Sequence, residues 1–119
     1  MAIEKKIKVF DIINSPSALT VEQGKLLYNE IINILKDEGI VIIDFVNIES
    51  IIMPFLNASI GRLYENYTST DLQKHLKVIN QPEGSNEKFN MVIRNAKNFY
   101  ANKDLKKKKY EWDLFCKNT

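Results

Sequence analysis

The sequence predicts a small α/β domain, a mixed sheet with amphipathic helices packed on it. Three observations point there. "IVIIDF" at residues 40–45 is an unbroken apolar run closed by an acid, the pattern of a strand buried on both faces, parallel and central. Runs rich in β-branched residues alternate with segments of helical periodicity in the order β-α-β-α-β-α. The length, 119 residues with 45% hydrophobic content, suits one domain with its own core.

Each element has a local reason. "IKVFDII" (7–13) has the β-branched and aromatic content of a strand, and "NSPSALT" around Pro16 is punctuation. Thr20 followed by Gln23 fits a capping box, and Val21, Leu27, Ile31, Ile34 and Leu35 then recur at helical spacing. Gly24 weakens this helix by roughly 1 kcal/mol relative to Ala, and Gly39 ends it as a C′ residue. Pro54 fits the first helical position of a second helix, which places Met53 at its N-cap. Leu56, Ile60, Leu63 and Tyr67 form one stripe of that helix, flanked by Phe55 and Ser59, while Asn57 lies elsewhere. Gly61 inside it suggests a close backbone approach to a neighbour. "HLKVIN" is a short third strand and "QPEGSNE" a loop. "KFNMVIRNAKNFY" is an amphipathic helix with Phe89, Val92, Ile93, Ala96, Phe99 and Tyr100 as candidate core. The domain is expected to span 1–101, and 102–119 to be a basic C-terminal helix or tail.

Composition excludes several classes. Net charge is +2, too small to announce a partner, although "KDLKKKKYEWDLFCK" is locally basic. The single cysteine, Cys116, allows no intramolecular disulfide, which fits a reducing compartment. No signal peptide is visible, and no stretch approaches the roughly 20 apolar residues of a membrane span. The chain therefore reads as cytoplasmic, with no membrane role, and the sequons at Asn57 and Asn66 carry no meaning.

Catalytic signals are sparse. The four glycines are scattered at 24, 39, 61 and 84, so there is no phosphate-cradling loop. Metal-ligand spacings are absent, and neither a metal nor another cofactor is expected. His75 has no partner for a metal site or a triad. Asp44 closes a strand, where α/β sites are built, but Asp is equally a habitual cap of turn amides. Glu49 is five residues on, across a turn of unknown shape. The chain reads as a non-enzyme.

One corner has a further character. "IDFVNIESI" followed by "PFLNASIGRLYENY" resembles the STAS-like family of unknown function, small bacterial proteins related to sulfate-transporter and anti-sigma-factor-antagonist domains. Asp44-Phe45 match the family's strand end, and Phe55-Leu56-Asn57 with Ile60-Gly61 match its helix. The likeness extends weakly over residues 5–101. It implies a STAS-like fold and a regulatory docking role. In the antagonist relatives this corner carries a serine at the helix N-terminus, and its phosphorylation by a histidine-kinase-like ATPase breaks binding. Here that position falls on Ile51, and Ser50 is the only hydroxyl in the turn. The resemblance thus implies a non-catalytic interaction module lacking the usual phosphoacceptor. Its protein partner would be a histidine-kinase-like ATPase, bound by Asp44, Asn47, Ser50, Met53, Phe55 and Asn57. The alternative is a nucleic-acid-associated protein in which Lys106, Lys107, Lys108 and Lys109 contact phosphates and nearby aromatic residues stack on bases.

Overall fold

The computed structural model describes residues 3–101; the basic segment 102–119, with Lys106–Lys109, lies outside the described residues. Three strands, β1 (Glu4–Lys8), β3 (Ile40–Asp44) and β5 (Leu76–Ile79), form the main sheet in the order β1-β3-β5. A second ladder pairs β2 (Ser17–Ala18) with β4 (Ser50–Ile51). The helices are α1 (Val9–Ile13), α2 (Val21–Leu35), α3 (Met53–Ser59), α4 (Ser69–His75) and α5 (Asn86–Tyr100), and a 3₁₀ turn over Gly61–Glu65 prolongs α3. The expected α/β class is what the structure shows, and among the described residues the strand pairings are parallel. Parallel neighbours need long crossover connections, which the helices supply.

β3 is central, as its apolar run requires, but its isoleucines are fully buried on one face only. Val41 and Ile43 are fully buried, whereas Ile40 and Ile42 are half-buried on the other face. That second face carries Glu4, Lys6 and Lys8 from β1 and Lys77 from β5, all exposed. The two-face burial expected of this strand is therefore corrected: the core forms on one side, and the other carries exposed lysines beside half-buried isoleucines. Glu4 and Lys77 approach to 3.7 Å from the two outer strands.

The first strand is shifted relative to its expected span. Pairing runs from Glu4↔Ile40 to Lys8↔Asp44, and Val9–Ile13 is a helix turn ended by Asn14 in the left-handed region (φ 54). Lysine-rich "EKKIK" suits an edge strand, which charge protects from adventitious pairing, and register with β3 overrides the β propensity of "VFDII".

α2 begins at the capping box. Thr20 Oγ1 accepts from Gln23 N (3.0 Å), and Gln23 Oε1 accepts from Thr20 N (3.0 Å) and Leu19 N (2.8 Å). The left-handed residue at its end is Glu38 (φ 58) rather than Gly39; Gly39 N donates to Ile34 O (3.2 Å), and a Cβ on Gly39 would stand 3.0 Å from Ile3 O. α4 was not anticipated. A second capping box starts it, with Thr68 and Asp71 exchanging bonds of 3.1 and 3.3 Å. The α3 helix starts one residue earlier than expected: Ile52 is the N-cap, without a side-chain bond, and Met53 lies inside the helix.

A close backbone approach is present at Gly24. α2 crosses α3 there, and a Cβ on Gly24 would lie 2.6 Å from Phe55 O and 2.8 Å from Ala58 Cβ. The missing side chain lets Leu27, Ile31, Phe55 and Leu56 close into a single core.

This contact fixes a sign. In an exposed helix Gly→Ala adds about 1 kcal/mol. Here Gly24→Ala is expected to lower stability by about 1–3 kcal/mol, since the obstructing atom is backbone and the helices must part. Urea unfolding at constant m-value measures it, and a higher midpoint for the variant would remove Gly24 from this role.

Candidate functional site

The C-terminal ends of the three main strands are level: Lys8 lies opposite Asp44, and Asp44 opposite Ile79. This edge is where open α/β sheets place their sites. The connections meeting there are the segment around β2, the turn after β3 and the loop between β5 and α5.

Asp44 organises the edge. Its Oδ1 accepts from Val46 N (2.9 Å) and Asn80 Nδ2 (2.9 Å), and its Oδ2 pairs with Lys6 Nζ at 3.3 Å. One buried carboxylate thus joins β1, β3 and the residue after β5. Burial opposes its ionisation. The hydrogen bonds from Asn80 and Val46, followed by the bond and charge of Lys6, outweigh burial and hold the carboxyl below the usual Asp value of 3.8. Every lone-pair direction used points at a fixed donor, so Asp44 is ionised and occupied in its structural bonds.

The turn that follows is closed by Ile48 N donating to Phe45 O (3.0 Å), with Asn47 in the left-handed region (φ 68). Asn tolerates that conformation, so Asn47 is explained by backbone geometry, and its side chain is exposed. The chain then enters β4, tied to the β2 segment by Glu49 N to Pro16 O (2.8 Å) and Ile52 N to Ala18 O (3.1 Å). α5 joins from the opposite side. Lys88 Nζ donates to Ile51 O at 2.9 Å, and Phe89 meets Phe45 edge-on at 5.4 Å.

Of the six residues expected to bind a partner, the structure leaves Asn47 and Ser50 exposed and Met53 half-buried against the core. Asp44, Phe55 and Asn57 are buried, which corrects their placement on the surface. Phe55 anchors α3 under α2. Asn57 was expected off the apolar stripe of its helix, but it is fully buried. Ser50 stands in β4, two residues before the N-cap, and Ile51 is buried. His75 Nδ1 donates to Gly39 O (3.1 Å) and ties α4 to the start of β3.

What remains accessible is a crevice of about 400 Å³ between β4 and the loop before α5. Leu19, Ser50, Ile52 and Lys88 line it, with Glu49 and Glu83 at its walls. Gly84 (φ 79) makes the turn of that loop. Leu19 is 43% exposed, an apolar side chain standing free at the mouth. Sequence reasoning missed Leu19, Lys88 and Asn80. The first two come from segments far apart in the chain. Asn80 had a signal: an amide residue ending a parallel strand beside one that ends in Asp.

The family comparison now bears on this edge. The model of a STAS-like domain of unknown function matches residues 23–85, more than half of the chain, so the chain belongs to that family. The match runs from α2 to the N-cap of α5 and takes in β3, Asp44, Asn80 and the crevice residues of β4 and of the loop before α5, but not Leu19 or Lys88; it is narrower than the 5–101 span of the resemblance. No curated protein and no solved structure matches. No helix among the described residues is long and apolar enough to cross a membrane.

Asp44→Asn tests the organising bond. The amide keeps an acceptor for Val46 and Asn80 but turns its NH₂ toward Lys6, and a loss of roughly 2 kcal/mol at neutral pH is expected. The folded pKa is lowered, so wild-type stabilisation is complete above the unfolded value of 3.8 and is lost as pH falls through the folded value. The gap between wild type and Asp44→Asn should be constant near neutrality and shrink below pH 3.8. Denaturant titrations across pH measure it, and a gap that widens in acid would contradict the assignment.

Proposed function

We propose that this STAS-like domain is a regulatory protein-interaction module that carries out no reaction of its own and docks a partner protein in the crevice at the C-terminal edge of the sheet. The observation that carries this reading is the crevice itself. It presents exposed Leu19 beside Ser50, half-buried Ile52 and the Lys88 and Glu49 charges, while Asp44 is committed to structural bonds. An apolar anchor ringed by polar groups is the arrangement that binding energy favours. The partner class, a cytoplasmic histidine-kinase-like ATPase, is supported by the likeness to antagonist domains.

Docking here is not switched at the helix start, because Ile52 holds the N-cap and offers no hydroxyl. Affinity is set by the crevice walls. Ser50, exposed on β4, is the hydroxyl through which added charge would reach the docking surface.

Met53 packs against the core, so changing it confounds binding with folding. Leu19→Asp and Ser50→Arg act at the surface. Each is expected to weaken binding of the domain to such an ATPase from its own host by tenfold or more, about 1.4 kcal/mol, with thermal stability retained. Lys77→Asp on the open sheet face serves as a control and should bind as wild type. Isothermal titration with and without ATP measures all three, and equal affinity for Leu19→Asp, Ser50→Arg and wild type would overturn the crevice assignment.

A further inference from the structure

One wall of the crevice is a bare strand edge. β2 and β4 form a two-stranded ladder, and no third strand pairs with β4 among the described residues. Ser50 N donates to Pro16 O (3.3 Å) and Ile52 N to Ala18 O (3.1 Å), so both residues turn their main-chain groups toward β2. In a parallel ladder alternate residues face opposite ways, so Ile51 turns its N–H and C=O away from β2. Ile51 and Lys88 both line the crevice, and Lys88 Nζ, reaching from α5, donates to Ile51 O at 2.9 Å. A side chain thus makes the bond that the N–H of a further strand would make. The edge is short, but it is of the kind that takes up another strand.

We infer that the partner docks by adding an extended segment to this edge, its main chain pairing with Ile51 and taking the carbonyl from Lys88. The inference rests on the docking reading above and names the form of the occupant. Charge selects the segment's side chains. Among the described residues the ion pairs are Lys6–Asp44 and Lys77–Glu4, so the Lys88 ammonium has a neutral carbonyl as its partner and no carboxylate. Released from Ile51 O, it meets a carboxylate of the incoming segment, so neither group loses a partner when the strand N–H arrives. Glu49 and Glu83 also line the crevice and repel further acids, so the segment carries one acid and not an acidic run. Exposed Leu19 and half-buried Ile52 receive one apolar side chain. The occupant is therefore a short extended stretch with an acid and an apolar residue, and without proline at the paired position.

Amide hydrogen exchange followed by NMR, on the full chain free and bound to the purified histidine-kinase-like ATPase of its own host, tests this. Strand addition should slow exchange of the Ile51 amide by about tenfold or more, while the amides of Ser50 and Ile52, already bonded to β2, change little. Lys88→Met should bind the ATPase about three- to fivefold more weakly, with far-UV circular dichroism unchanged. The difference should narrow as salt is added, since it comes from a charge pair at the surface. Binding that Leu19→Asp weakens, but that leaves Ile51 exchange as in the free domain, would overturn strand addition and keep the docking reading. Equal slowing at Ser50, Ile51 and Ile52, the pattern of a surface that is merely covered, would do the same. Full affinity of Lys88→Met would overturn the assignment of an acid to the segment. No binding, or binding indifferent to Leu19→Asp, would overturn the docking reading and this inference with it.

Discussion

A single buried carboxylate holds the working edge of this domain together. Each parallel strand of the main sheet ends there, and parallel strands have no hairpin to keep their ends aligned. Asp44 does that work with side-chain bonds, reaching Lys6 on β1, the amide of Val46 on its own turn and Asn80 just past β5. Two of those donors are neutral, and the third is a half-exposed lysine. The acceptor is charged, so the bonds are strong for their number. The turn after β3, the loop before α5 and hence both walls of the crevice take their places from this carboxylate.

A second constraint is steric. α2 and α3 approach so closely that Gly24 is needed under the Phe55 carbonyl. This locks the helical layer onto one face of the sheet and leaves the other to exposed lysines and half-buried isoleucines. With the helices on one side, the loops at the C-terminal edge are drawn toward that side. Leu19, Ser50 and Lys88, from three separate segments, come together as a result. The fold is thus a rigid platform with its variable chemistry on loops.

Much of the fold was legible in the residues because local and global signals agree. The Thr20–Gln23 box, the "IVIIDF" run and the stripe Phe89, Val92, Ala96 and Tyr100 each follow from periodicity or capping chemistry. The misses have physical reasons. β1 is written in lysines because it is an edge, so the apolar run 7–13 that follows reads as the strand instead. Gly24 reads as a helix defect, since nothing in one dimension reveals the backbone that passes beneath it. Asn57 reads as exposed on a helical wheel, but the wheel assumes solvent on one side of α3. At the candidate site the turn was readable from Asp44 and Asn47. The crevice was not, because its walls are brought together by tertiary packing and its exposed anchor, Leu19, stands between a two-residue strand and a cap.

The claim that Asp44 is an ionised structural staple is tested most directly by following its side-chain carboxyl carbon by NMR while pH is lowered. The account predicts a midpoint below 3.8, with the Asn80 side-chain amide and the Val46 backbone amide shifting at the same midpoint. A midpoint at or above 3.8, or amide signals of Asn80 and Val46 that stay still while Asp44 titrates, would contradict it.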